Sequence, residues 1–283
     1  MYSFWSYLPS FIKHNNPIRY LLNRYYWKVF LSKKPIKVEL SNNKNEEIEI
    51  YIVAFNNDKL MENQVYFLKK NCLDNYKLII ADNSSDKEIS DKIYNLCKKE
   101  HLDYIKLPKN KKLELSWSHG YTLNYLMKHF ILKSKIPYFW LLDHDCFLIK
   151  KTSFIKELWQ IWIWWSFPQD HSIKIWKKII NWAGNRRFLW PWCCFFRKTL
   201  FNNWYDFTPS KRLFPLSFLD TWWGNRKYIY KNLDKNSLNI LNMDWDGEYE
   251  YLWDRFFHIS GAWWRRKEKV EESLKKLKLD YDS

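Results

Sequence analysis

The sequence predicts an α/β protein, a three-layer α/β/α arrangement with a mostly parallel central sheet. Three observations carry that expectation. Short apolar, β-branched runs alternate with helical stripes over residues 48–150. Polar residues close each apolar run, at the sheet edge where open α/β folds bind ligands. The composition, 47% hydrophobic with only 5 Gly and 9 Pro in 283 residues, supports a sizeable core and excludes disordered, collagen-like and loop-repeat chains.

Residues 1–36 are aromatic and basic with almost no acid. They read either as an amphipathic segment resting on a membrane or as a helical arm packed on the domain. SNNKNEE, 41–47, reads as a linker. Ile48–Phe55 (IEIYIVAF) is a strand. Met61, Val65, Leu68 and Cys72 form a helical stripe. Leu78–Ala81 is a second strand that ends at Asp82, followed by a turn at Asn83-Ser84. Ser85 and Glu88 then form a capping box for a helix carrying Ile89, Ile93, Leu96 and Cys97. Tyr104–Leu107 is a third strand, Tyr121–Ile131 lies in a helix, and Tyr138–Leu142 is a fourth strand closed by Asp143-His144-Asp145.

The second half is less regular. Leu158–Phe167 and Phe188–Phe196 are dense in aromatics, and helical spacing groups Trp159, Trp162 and Ile163, with Trp165 nearby. Residues 265–279 read as a charged amphipathic helix. The expected organisation is an N-terminal arm, 1–45, one α/β domain, 46–264, with halves 46–150 and 151–264, and a C-terminal helical segment, 265–283.

The charge balance, 47 Lys and Arg against 31 Asp and Glu, is +16 and implies an anionic partner. Nucleic acid, phosphorylated small molecules and acidic lipid all meet that description. No zinc-finger, RNP-like or helix-turn-helix signature is present, which argues against nucleic acid. The five Cys are odd in number and form no CxxC, so a reduced, cytoplasmic compartment is expected. The first residues lack the apolar core of a signal peptide, and no stretch approaches the roughly 18–20 apolar residues of a membrane span.

Asp143-His144-Asp145 is the strongest candidate for chemistry. Two carboxylates two residues apart at a strand end bring oxygens to one hard divalent cation, Mn²⁺ or Mg²⁺, which shares itself between carboxylates and substrate phosphates. An acidic triplet alone is as readily a solvated loop; its place after the apolar FWLL run favours the ligand reading.

Three segments, IEIYIVAFNN, KLIIADNSSD and YFWLLDHD, together with LPKNKKLELSWSHGYTLNYLMKH, resemble the GT-A fold glycosyltransferases, most closely family 2. The resemblance covers about 48–150 and is carried downstream by short matches only. It implies a nucleotide-binding half followed by an acceptor half. It implies that Ala54, Phe55 and Asn56 lie by the base and ribose of a nucleotide sugar, and that Asp82 accepts a hydrogen bond from the base. His119, Gly120 and Asn124 fall in the glycine-bearing loop and the helix after it, bordering the sugar-phosphate pocket. Asp143 is expected to face ribose and metal-bound water, Asp145 to bind the metal, and His144, also at the pocket, to point away from the ion. Asp220, in Phe218-Leu219-Asp220-Thr221-Trp222-Trp223, matches the general base, although Leu219 stands where the family often has a second acid. Asp220 is also placed to cap a helix starting at Thr221 or Trp222. His258 matches a C-terminal metal ligand or diphosphate contact.

The function implied is metal-dependent transfer from a UDP- or GDP-sugar to a saccharide or lipid-linked acceptor, in surface glycan synthesis, by a cytoplasmic or peripheral membrane protein. An anionic membrane surface is a further expected partner. A nucleotidyltransferase of related fold needs a Gly-rich phosphate loop after the first strand, and AFNNDKL has no glycine.

Overall fold

The computed structural model describes residues 17–41, 45–109, 115–157, 163–166, 172–175, 178–181, 193–201, 205–207, 238–241, 243–245, 249–252, 254–259 and 267–281. Asp220 and, of the two aromatic-rich runs, residues 158–162, 167 and 188–192 lie outside them.

The chain begins with helix α1 (Pro17–Ser32) and strand β1 (Lys37–Glu39). Then comes the expected alternation: β2 (Ile48–Ala54), α2 (Asp58–Asn71), β3 (Tyr76–Asp82), α3 (Lys87–Lys99), β4 (Asp103–Lys106), α4 (Leu115–His129) and β5 (Tyr138–Asp143). After it follow β6 (Cys146–Leu148), α5 (Phe154–Glu157), β7 (Ile163–Ser166), β8 (Ser172–Ile175), β9 (Lys178–Asn181), β10 (Cys193–Arg197), β11 (Leu238–Leu241), β12 (Met243–Trp245), β13 (Glu250–Leu252), β14 (Phe256–His258) and α6 (Lys267–Tyr281).

The main sheet has eight strands in the order β1-β4-β3-β2-β5-β10-β7-β11. Its centre, β4 through β5, is parallel, as the sequence predicts. β1 joins antiparallel at one edge, and β10 pairs antiparallel with β5 on the other side. A second, antiparallel sheet runs β12-β13-β14-β6, and β8 and β9 form a hairpin. β2 is buried at every residue, as a strand covered on both faces must be. Its one acid, Glu49, lies 3.7 Å from Lys198 Nζ. Burial pushes the Glu49 carboxyl up, and Ser134 and Lys198 offset only part of that.

Helices α2 and α3 pack on one face through Met61, Val65, Leu68, Ile93 and Cys97. Helices α1 and α4 pack on the other through Phe30, Tyr121, Tyr125 and Leu126. The strand order explains the division. The chain steps outward from β2 to β3 to β4 with its helices on one face, then returns through α4 to place β5 on the far side of β2. Between β2 and β5 the winding changes direction, and at such a switch point an open α/β sheet places its ligand crevice, outside the carboxyl ends of the strands.

Four expectations need correction. The N-terminal arm is not wholly appended, because β1 belongs to the sheet. The third strand begins at Asp103 rather than Tyr104. The cap of α3 is Asp86, whose side chain accepts from the Ile89 N–H at 3.2 Å, because Ser85 is held by Asn56 instead. Ile163–Ser166 is a strand that pairs with β10 and β11, so helical spacing was the wrong period for it; short aromatic runs carry no periodicity that separates the two.

Trp140 ties the two sheets together. It is fully buried, with its ring centroid 4.5 Å from that of Phe154 and 5.5 Å from that of Phe256. Its indole N–H has no hydrogen-bond partner among the described residues. Trp140→Ala is expected to cost about 3–5 kcal/mol in chemical denaturation. Trp140→Phe, which removes the unmatched donor and keeps a ring, is expected to cost less than half as much.

Candidate active site

Alternation along β5 sets the site. Trp140 and Leu142 face the α2/α3 side and Phe139 and Leu141 the α4 side, so Asp143 follows Phe139 and Leu141 toward α4. There His119, in the second turn of α4, puts Nε2 3.2 Å from Asp143 Oδ1. Both side chains keep about a quarter or less of their surface, at 22% and 25%. Register places Val53 of β2 beside Asp143. His144 Nδ1 lies 3.0 Å from the Val53 carbonyl; because that oxygen only accepts, Nδ1 carries the proton.

Asp145 sits deeper. Oδ1 is 3.4 Å from His258 Nε2, and the two side chains keep only 7% and 8% of their surface. This meeting of residues 113 positions apart follows from sheet register: β14 runs antiparallel to β6 with His258 opposite Cys146. The Ile259 N–H donates to the Asp145 carbonyl at 3.0 Å and closes the pair. Burial pushes the Asp145 carboxyl up, but His258, with His144 behind it, outweighs burial and holds the group below the usual range.

The turn between the carboxylates is clamped by a residue the sequence reading missed. Gln64 of α2, buried, donates from Nε2 to the carbonyls of Asp143 (2.6 Å) and Cys146 (2.8 Å). Two turns further along α2, Asn71 donates to the Leu148 carbonyl at 2.7 Å. One edge of β6 pairs with β14, and these amides satisfy carbonyls on the other, where a bare edge would leave buried acceptors. The signal was present: Gln64 is three residues after Met61 and four before Leu68, a polar side chain inside an apolar stripe.

The loop after β2 forms the facing wall. Asn56 has φ 46°, a left-handed conformation that Asn tolerates better than most residues. Its Oδ1 accepts from the Ser85 (2.9 Å) and Asp86 (3.1 Å) N–H groups, and its own N–H donates to Ser84 Oγ at 3.0 Å. Ala54 is buried and its carbonyl accepts from the Asn83 N–H at 2.9 Å; Phe55 is half-buried. The loops after β2 and β3 are thereby one unit.

Asp82 lies beneath that unit with no exposed surface. Oδ1 accepts from the Ser84 N–H at 2.8 Å; Oδ2 accepts from Ser90 Oγ, from Tyr104 Oη at 2.8 Å and from Lys106 Nζ at 2.9 Å. Burial pushes its carboxyl up, and these donors more than reverse the shift. In this conformation it anchors the loop and has no face toward a ligand, a difference from the expected hydrogen bond to a base. Asn124 is likewise buried, accepting from the Phe207 N–H at 3.1 Å, and braces α4 against the later chain rather than opening into the crevice. Gly120, beside His119, is buried at a position where a larger side chain would press on the core.

Oxygen and imidazole donors suit Mn²⁺ best, and Mg²⁺ next. Cis ligands on an octahedral ion with bonds near 2.1 Å stand about 3 Å apart, and the 3.4 Å of Asp145 and His258 is close to that. Among the described residues no group of three or more His, Cys, Asp or Glu side chains converges as a metal site. Two protein donors would leave an ion's remaining positions to water and substrate phosphate, the usual condition of these cations.

No family model matches the sequence, and no curated protein does. Among solved structures the chain is similar to S. aureus TarS, with a TM-score of 0.44 and 16% identity over 72% of this chain and 36% of that one. It is similar to the mannosyltransferase PcManGT from Pyrobaculum calidifontis in complex with GDP-Man and Mn²⁺, with a TM-score of 0.36 and 10% identity over 64% of this chain and 52% of that one. It is also similar to the WbbM bifunctional glycosyltransferase, with a TM-score of 0.39 and 8% identity over 59% and 34%. The matches thus span a third to a half of those chains.

Asp82→Asn sets an amide against the Lys106 ammonium and is expected to lower stability by about 3 kcal/mol near neutral pH. The wild-type carboxyl titrates below its unfolded value, so its contribution is present above that value and is lost as pH falls through the folded one. Urea unfolding of both proteins should show a gap at neutral pH that closes in acid below about pH 4.

Proposed function

We propose that this chain is a GT-A-type glycosyltransferase that moves a sugar from a UDP- or GDP-sugar to an acceptor hydroxyl of a saccharide or lipid-linked saccharide, working in the cytoplasm. The observation that carries the reading is that both DxD carboxylates meet imidazoles from distant parts of the chain beside the β2–β5 crevice: Asp143 with His119, and Asp145 with His258. A solvated acidic triplet has no need of a buried partner 113 residues away, or of an amide clamp on its backbone.

Each residue then has a task. Asp145 and His258 would hold Mn²⁺ or Mg²⁺, which when bound supplies positive charge where the departing nucleoside diphosphate gathers negative charge. Gln64 keeps the two carboxylates at a fixed separation, and His144, tied to Val53, stays out of the way of the ion. Asp143 and His119, each about a quarter exposed, orient ribose and sugar phosphate. Ala54, Phe55 and Asn56 form the wall by the base; Asp82 contributes by fixing the loop carrying Asn56, and Asn124 by bracing the helix carrying His119. Asp220 takes the proton from the acceptor hydroxyl as it attacks the anomeric carbon, with displacement in line.

The reading is tested by screening nucleotide sugars with Mn²⁺ for thermal stabilisation and slow hydrolysis. Asp145→Ala is expected to abolish both transfer and the Mn²⁺-dependent part of the stabilisation, with circular dichroism unchanged; full transfer by that variant, or in EDTA, refutes the metal role. Asp220→Asn is expected to lower turnover by at least about 100-fold with donor affinity retained. The opposite split, normal turnover with weak donor binding, makes Asp220 structural.

A further inference from the structure

Helix α1 has two apolar faces, and the domain uses one. Trp27, Phe30 and Leu31 pack against the core, with the Trp27 ring stacked 6.4 Å from Tyr121 and the Phe30 ring 5.2 Å from Tyr125. By helical phase, Tyr25 and Val29 share the other side. Tyr25 is 62% exposed there, and Tyr26 beside it 45%.

The chain then enters β1, whose two faces differ in the same way. Lys37 and Glu39 turn toward α3, where Lys37 Nζ sits 3.6 Å over the Tyr94 ring and Tyr94 Oη donates to Glu39 at 2.8 Å. Alternation puts Ile36, Val38 and Leu40 on the opposite face, and Val38 pairs with Ile105, which packs in the cluster containing Phe30 and Tyr125. The strand's apolar face therefore lies in the same layer as α1. Among the described residues this face is exposed: Ile36 is 58% exposed, and Val38 and Leu40 are each 41% exposed.

Charge identifies what covers it. Residues 1–38 hold seven Lys and Arg and no Asp or Glu. A second copy of this segment would set cations against cations. Nucleic acid would satisfy the charge but has no use for aliphatic Ile36, Val38 and Leu40, which neither stack on bases nor neutralise phosphate. An anionic bilayer satisfies both: headgroups for the cations, the acyl boundary for the aliphatic residues, and the interface for tyrosines. Among the described residues no helix is long and apolar enough to cross a membrane.

We propose that α1 and the outer face of β1 together seat this protein on an anionic lipid bilayer. The inference does not rest on glycosyl transfer, and lipid vesicles report it without any sugar substrate.

The experiment is co-sedimentation of the full chain with vesicles of phosphatidylcholine alone and of phosphatidylcholine mixed with phosphatidylglycerol. The expected result is partition at least about tenfold stronger onto the anionic vesicles, weakening as salt is raised. Lys28→Gln should lower it by about fivefold, the effect of one cation near an anionic surface. The pairs Tyr25→Ser with Val29→Ser, and Ile36→Ser with Val38→Ser, should each lower it by roughly tenfold or more while the melting temperature stays within a few degrees of wild type. Equal partition onto both vesicle types overturns the proposal, as does partition that none of these substitutions alters. A lipid-free dimer that the tyrosine-valine pair dissociates assigns the face to a second copy instead. Oligonucleotide binding that the same pairs abolish, with no partition onto vesicles, assigns it to nucleic acid.

Discussion

A carboxylate taken out of water keeps its charge only if something nearby makes up for the lost hydration. Asp145 is in that position, and His258 is what makes it up. The rest of the site is arranged around this pair. β14 must run antiparallel to β6, and in the register that sets His258 opposite Cys146, for the imidazole to arrive at all. α2 must present amides to the other edge of β6, or the turn from Asp143 to Cys146 would have buried carbonyls with no donors. A shift of β14 by one residue would carry the imidazole to the opposite face of its strand and leave an uncompensated buried charge.

The opposite wall of the crevice obeys a related rule with different chemistry. Asp82 is as deeply buried as Asp145, but it is saturated by donors from its own neighbourhood, Ser84, Ser90, Tyr104 and Lys106. One acid is tuned chiefly by His258, with His144 behind it, and the other takes four donors. A group that meets four donors is scaffold; a group held mainly by one imidazole keeps acceptor capacity for a ligand. That contrast separates two aspartates that look alike in sequence, each standing at the end of an apolar strand.

The first half of the fold was legible because its signals are long and local. Strands β2, β3 and β5 are continuous apolar runs, α2 and α3 carry stripes, and strand-helix alternation admits few topologies. The DxD position was legible for the same reason. What sequence could not yield were relations set by tertiary register. Family resemblance named Asp145 and His258 as metal ligands, but not their direct meeting. That Asp143 meets His119, that Gln64 spans the turn, and that Asn56 ties two loops all depend on which strand lies next to which. In the later half the described strands are three to five residues long, too short to show a period, and Ile163–Ser166 was accordingly misjudged. The cap of α3 was off by one residue because a distant Asn competes for Ser85, a contest no local pattern reveals.

β10 lies antiparallel along β5 through five residue pairs, from Cys193 opposite Leu142 to Arg197 opposite Tyr138. The two parts of the chain are thus not lobes resting against each other but neighbours in one continuous ladder. Such a seam resists bending: swinging one part away would break its rungs and expose Cys194, Phe195 and Phe196 to water. The connecting loops along the strand ends therefore rest on one continuous platform.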